Sequence, residues 1–484
     1  MEETLLIELI KTLTPAEKTQ ILPFSTTPFF NNGRMRAYVG PLVALCMEHP
    51  WQNPEQRLEK TDVYATLFPD QEFVEGKLEK VMVEALKFIR SVLMTLNYFR
   101  EDNAFHQHFD YTEMLRLRGL DARYQRSMAR LKKMQEDAPW KNAPHFHKQF
   151  MLETAIHYQE SLDNQSKGDL NIPNVLFATE IYYYIRRTAL LSRYLLQLRV
   201  AKLDVPETIK LNIAENIVPE RYLKESPTLR ISFEIFRILN KDLPDGSDIR
   251  LVFDLLLQHE KEMDMETLQE FYAYLRNFSV LISKAYPERE EIYHTLHELY
   301  VDNLKRGYLH YEGKITPSRY LAISNNAIRV EQFEWVSAFI ERHKHEIYGD
   351  NEQQDVYRFN KAHYLFAVGL YEACLDCLPA TSTFVNYLIN GKRLELKALY
   401  ELESDLFAYK LDAFKMFLNR TSQKLLSDEQ RQLNIEFANL LTQITFSSPG
   451  DLKRAERVVK RVEENKQMVE RKWLLAKANA LKLK

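Results

Sequence analysis

Apolar residues return every three or four positions along most of the chain, which is the period of a helix with one buried face. The pattern predicts helices over 2–13, 34–49, 72–99, 111–136, 148–160, 175–201, 228–239, 249–259, 265–286 and 290–307. At Thr14-Pro15-Ala16-Glu17, Thr14 can cap, proline suits the first helical position and Glu17 completes a capping box. The second helix that starts there must stop near Pro23. Loops are predicted around Pro50 and Pro54, at APWKNAPHFH, and at SLDNQSKGDLNIPN, the best candidate hinge.

Between the second and third helices stands ILPFSTTPFFNNGRM. Pro23 ends one helix and Pro28 constrains the connector, so Phe24, Phe29 and Phe30 are expected to bury themselves as a structural knuckle. Rings left exposed would instead be anchors for a partner.

A repeat emerges further on, in YLAISNNAIRVEQFEWVSAFIERHKHEI, YRFNKAHYLFAVGLYEACLDCLPA and GKRLELKALYELESDLFAYKLDAFKMFLNR. Small Ser324, Ala362 and Ala398, aromatic Phe333, Tyr371 and Phe407, and apolar Ile340, Leu378 and Phe414 all step by 38 and then 36. A small residue on the first helix lets the second approach, and an aromatic early in the second fills the wedge beside the turn. One slot fails: Lys410 stands where Val336 and Cys374 stand in the other units.

Composition narrows the class. Only 12 glycines in 484 residues leave few tight turns, so an all-α protein is expected. The expected architecture is antiparallel helix pairs stacked into an α-solenoid with helical caps. Its divisions are an N-terminal cap over 1–110, a helical array over 111–310, helix-pair repeats over 311–420 and C-terminal capping helices over 421–484.

With 65 basic and 68 acidic residues the net charge is -3, which supplies no global field toward nucleic acid or an acidic membrane. The start, MEETLLIELIKTL, is acidic where a secretory signal is positive, and even TALLSRYLLQLRV is interrupted by Arg193 and Arg199. No membrane insertion is expected. Three cysteines suit a reducing compartment, so the expected location is cytoplasmic.

The segment AHYLFAVGLYEACLDCL resembles the tetratricopeptide repeat (TPR), with Ala362, Gly369 and Tyr371 matching its pattern, although the spacing exceeds the standard repeat. More widely, LTPAEKTQILPFSTTPFFN, LFPDQEF, YAYLRNF, GYLHYEGKITPSRY, FEWVSAFI and the terminal RKWLL resemble a family of bacterial TPR-like proteins with no assigned activity. That resemblance implies a fold and no catalytic residue. It also implies that the first helices of the repeats line a groove, which makes Asn325, Phe359 and His363 the candidate contacts, unless Phe359 is core and the other two merely solvated.

The search for chemistry excludes more than it finds. Cys374 and Cys377 form one isolated CxxC within a predicted helix and read as packing residues. Of 13 histidines, the pairs His106/His108 (near Asp110) and His145/His147 lack a ligand set, and HTLHE lacks the order of a zinc hydrolase. GYLHYEGKI is not a phosphate loop, because Gly307 is misplaced and Ile315 replaces the hydroxyl residue. No catalytic site, cofactor or metal is predicted.

Two basic segments remain. On a helix Arg123, Arg126, Arg130 and Lys133 form one stripe about 15 Å long, fit for an acidic helix or a phosphate backbone, or else paired with acids elsewhere in the fold. The segment from Asp451 onward carries 11 basic and 5 acidic residues, and its Val458, Val459, Val462 and Trp473 suggest a capping helix packed on the array. The expected function is a non-catalytic scaffold for a protein or peptide partner. The alternative is a nucleic-acid or phosphate-binding regulator that uses the stripe, and an enzyme formed around His106/His108 is a more distant third.

Overall fold

The computed structural model describes residues 4–51, 58–163, 170–201, 203–241, 244–349, 353–379, 385–423, 425–446, 451–465 and 467–483. Among them are 24 α-helices, no strand and two isolated β-bridges. Contacts divide the chain into Met1–Ala138 with Thr154–Gln159, and Pro139–Glu153 with Glu160–Lys484. The hinge expected at SLDNQSKGDLNIPN and the loop at Pro54 fall in part or whole outside the described residues.

The first unit contains α1 (Leu5–Thr12), α2 (Pro15–Ile21), α3 (Arg36–Glu48), α4 (Lys60–Leu67), α5 (Lys77–Tyr98), α6 (Ala104–Leu117) and α7 (Asp121–Glu136). The Thr14 box forms as predicted: Thr14 Oγ1 accepts from the Glu17 amide at 3.2 Å, and Glu17 Oε2 accepts from the Thr14 amide at 2.8 Å. Helices α1, α3 and α5 close on Ile7, Ile10, Leu42, Val81, Phe88 and Ile89, all buried. Helix α5 starts later than expected because Gly76, at φ 78°, turns the chain first. The basic helix expected over 111–136 is two helices. Gly119, at φ 66°, breaks it, and the amides of Gly119 and Leu120 close on the Arg116 and Leu115 carbonyls.

The proline-phenylalanine knuckle is only partly the buried plug expected. Phe24 and Phe30 pack edge-to-face with centroids 5.1 Å apart against the α1/α3/α5 core, whereas Phe29 is 80 % exposed. Buried Asn31 holds the loop closed, its Nδ2 donating to the Ser25 carbonyl at 2.7 Å and to the Arg36 carbonyl at 2.8 Å. Asn31→Ala removes both bonds and should destabilise this unit by about 1–3 kcal/mol, read as a lower urea midpoint.

Within the second unit the helices are α8 (Ala143–Asp163, inside which the division falls), α9 (Ile172–Ala201), α10 (Glu207–Ala214), α11 (Glu220–Glu225), α12 (Pro227–Asn240), α13 (Gly246–His259), α14 (Met265–Ala285) and α15 (Glu290–Lys305). Then follow α16 (Pro317–Arg329), α17 (Phe333–Arg342), α18 (Gln353–Ala367), α19 (Tyr371–Cys377), α20 (Val385–Glu401), α21 (Phe407–Arg420), α22 (Asp428–Thr445), α23 (Leu452–Glu464) and α24 (Arg471–Leu483). From α11 onward helices pack on their sequence neighbours, and α16–α18, α18–α20 and α22–α24 also touch. Among the described residues no helix is long and apolar enough to cross a membrane.

The three repeat units share a hairpin. Ser324, Ala362 and Ala398 are fully buried, and Phe333, Tyr371 and Phe407 each open the second helix of their pair. Glu331 at φ 59° and Gly369 at φ 83° end the first two turns, and the amides that follow them, of Gln332 and Leu370, close on Ala327 and Leu365 at 2.9 Å. In the third unit the left-handed residue is Glu403 and the turn between the helices is longer. Leu411 takes the core position, and Lys410 pairs with Glu395 at 2.7 Å instead.

Candidate functional site

Asn325 on α16 and His363 on α18 lie one repeat apart, and the structure brings them together: His363 Nδ1 and Asn325 Oδ1 are 2.9 Å apart. An amide oxygen only accepts, so Nδ1 carries the proton and Nε2 of the neutral ring is an acceptor. Burial, reinforced by Lys397 and Arg393, holds the imidazole down at about 4, so it is neutral at pH 7. Phe359, the third residue proposed for the groove, is 3 % exposed and packs edge-to-face on Tyr387 at 5.2 Å. It is a core residue, because its place on α18 faces the packed side of the helix pair.

The polar row continues onto α20 and α22, where the sequence offered no motif. Arg393 donates from Nη1 to Asn434 Oδ1 at 2.8 Å and from Nη2 to Asn390 Oδ1 at 2.5 Å. Its Nε lies 3.3 Å from Glu470 Oε1, and Lys397 Nζ lies 2.6 Å from Glu470 Oε2. The Lys397 side chain is 5 % exposed and that of Glu470 22 %. Burial works to raise the Glu470 carboxyl, but Lys397 and Arg393 outweigh it and hold the group down at about 2. Lys397 also sits 4.5 Å over the ring of Phe366.

Glu470 is delivered by the C-terminal segment from a left-handed backbone conformation, φ 56°, immediately before α24. Helix α24 follows the same direction, with Trp473 Nε1 and Lys477 Nζ each 2.6 Å from the Glu401 carboxylate of α20. Val458 and Val462 of α23 are fully buried against α22, so the basic C-terminal segment does pack on the preceding helices. A cleft of about 130 Å³ opens beside the cluster, lined by Asn390, Arg393, Gln430, Asn434 and Val469. Two cations thus meet one carboxylate, and the Asn390 and Asn434 side chains accept from one of those cations.

The basic stripe on α7 is exposed throughout, and among the described residues Arg123, Arg126, Arg130 and Lys133 pair with no carboxylate. Their helix buries Tyr124, Met128 and Leu131 on its other face, so the stripe points away from the α6/α7 contact. Pairing with acids elsewhere in the fold is therefore not what these described residues do.

Other candidate groups are occupied by packing or local bonds. His108 Nε2 meets Ser127 Oγ at 3.0 Å, and Asp110 accepts from Tyr98 at 2.5 Å, so no ligand set forms there. Burial lowers His145 to about 4, and the His147 ring packs 5.3 Å from Tyr182. Cys374 is fully buried with its thiol pushed up to about 12, and burial raises Cys377 too, which disfavours the reactive thiolate. One grouping escaped the sequence reading: His310, His343 and Glu346 converge from two turns. The local signal was the i, i+3 pair in RHKHEI, with its third member a repeat-length away. Comparison with protein-family models, curated proteins and solved structures gives no match.

Proposed function

We propose that the chain is a non-catalytic, cytoplasmic, TPR-like helical-repeat scaffold that holds a protein or peptide along the row of first helices. The observation that carries this reading is the polar row of Asn325, His363, Arg393, Lys397 and Asn434 on four successive first helices, in which Arg393 and Lys397 hold the Glu470 carboxylate. Two cations face one carboxylate, so an acidic side chain or chain terminus of a partner is the group the row accommodates in addition to, or in place of, Glu470. Phe359 drops out of the contact set, and Arg393, Lys397 and Asn434 enter it.

The test is affinity purification of the tagged chain from its native cells with and without nuclease, followed by mass spectrometry. A stoichiometric protein partner that survives nuclease and is lost from Asn325→Ala and His363→Ala, both of which still fold, is the expected result. Retention by both variants would remove the row from the binding surface.

A second reading rests on the exposed stripe of Arg123, Arg126, Arg130 and Lys133, which has no carboxylate partner among the described residues and suits a phosphate backbone. With four phosphate contacts, log affinity for a DNA duplex should fall against log salt with a slope of roughly -3 to -4. Alanine at Arg126 and Arg130 should reduce that slope by about 2. A slope near zero would sink the reading.

A further inference from the structure

Two chain reversals far apart in sequence are tied together at the ends of the α16/α17 pair. Gly307, at φ 77°, ends α15, and the chain passes through His310 into a two-residue turn with Glu312 at φ 51° and Gly313 at φ 74°. Tyr311 and Lys314 exchange both backbone hydrogen bonds across that turn, at 2.7 and 2.9 Å. Ile315 then pairs in parallel with Ile347, its amide donating to the Glu346 carbonyl at 2.6 Å and its carbonyl accepting from Tyr348 at 2.9 Å. Both isoleucines are fully buried, so the bridge is a rigid platform.

From this platform three donors point inward. His310 Nε2 lies 3.0 Å and His343 Nδ1 2.7 Å from the same oxygen of Glu346, and all three donor atoms lie within 4.8 Å of one another. The Phe339 ring, 5.1 Å from His343, backs that imidazole. Lys344 is drawn to Glu341 at 3.5 Å, and among the described residues no lysine or arginine pairs with Glu346. Among the described residues the carboxylate thus has only imidazole partners.

We propose that His310, His343 and Glu346 bind one divalent transition-metal cation, with Zn(II) the ion best matched to two imidazole nitrogens and one carboxylate oxygen. Zinc–ligand bonds of about 2.0–2.1 Å in a tetrahedral shell place donor atoms roughly 3.3 Å apart. The two nitrogen–oxygen separations of 2.7 and 3.0 Å need the carboxylate to withdraw by a few tenths of an ångström, and the two imidazole nitrogens, within 4.8 Å of each other, must close to about 3.3 Å by rotation of their side chains. The Glu346 side chain, 39 % exposed, has room to do so and leaves a fourth position for water or another ligand. Bound there, the ion fastens the entry of α16 to the exit of α17, and so steadies the helix that carries Asn325.

The test titrates the full chain, freed of metal by a chelator, with Zn(II) in a calorimeter. One equivalent per chain is expected, and His310→Gln and His343→Gln, which keep a polar partner for Glu346, should each weaken binding by about 10-fold or more. His345→Ala, at an exposed position on the same turn, should leave binding unchanged. Co(II) added to the unmutated chain gives an independent reading that needs no variant: an intense visible band marks a four-coordinate site. Absence of stoichiometric binding, affinity unaltered in both glutamine variants, or only the weak spectrum of hydrated Co(II) would overturn the assignment and leave a hydrogen-bonded clasp.

Discussion

Glu470→Gln should destabilise the C-terminal helices by about 3–5 kcal/mol, because it leaves the Lys397 ammonium, 5 % exposed, without its carboxylate. Glutamine preserves the volume of the side chain, so the loss reports charge and not packing. The companion Lys397→Met/Glu470→Gln should recover part of that stability, since a buried pair replaced as a unit removes both desolvation costs. Urea unfolding of the single and double variants checks this. A single variant within about 0.5 kcal/mol of the unmutated chain would mean that water reaches the cluster and screens it.

The same cluster sets a pH dependence whose sign can be worked out. The folded carboxyl of Glu470 is held down at about 2, below the ordinary glutamate value of 4.5, so its contribution is complete above pH 4.5 and is lost as pH falls toward 2. The His363 imidazole is lowered from 6.5 to about 4, so the unfolded chain takes up its proton first and stability declines from pH 6.5 down to 4. Stability should thus fall through two successive acid windows. Glu470→Gln removes the lower window and His363→Gln the upper, which urea midpoints measured from pH 7 to pH 3 would separate.

Phe414→Ala should cost about 3–5 kcal/mol, the usual loss when a fully enclosed aromatic leaves a cavity. Phe414 is buried among residues of α20, α21 and α22, in the slot shared with Ile340 and Leu378. Leu378→Ala at the equivalent position should cost only about 1–2 kcal/mol, because Leu378 is partly exposed at the end of its helix pair. Equal losses at the two positions would show that the repeats are packed more alike than their burial indicates.

Much of the helical organisation was legible because it depends on local rules. Thr14, Pro15 and Glu17 announce a helix start through groups only three residues apart, and the structure forms that box. The slots that step by 38 and 36 are legible for the same reason, since each unit repeats one hairpin. Where the rule failed at Lys410, the next residue, Leu411, takes the buried place and Lys410 pairs with Glu395 on the first helix, a partner that periodicity does not encode. The basic helix over 111–136 was misjudged because a glycine within an amphipathic pattern is tolerated as often as it breaks a helix, and Gly119 breaks this one.

The site was less legible. Asn325 and His363 were reachable from repeat spacing, and their hydrogen bond follows from it. Phe359 was misplaced, because which side of a helix faces the core depends on its neighbours. Phe29 was expected inside, yet the two rings beside it already fill the available contact with the core.

By itself, the sequence determined that this chain forms helices, that they pair as hairpins over at least three repeats, and that none of the described ones is suited to cross a membrane. Those properties follow from propensities, caps and spacing within about forty residues. Tertiary structure alone decided that Glu470 meets Lys397 and Arg393 across more than seventy residues, and that His310 meets His343 and Glu346. Such meetings are made by the packing of whole helices, and charge or imidazole groups carry no signal of their distant partners until that packing places them together.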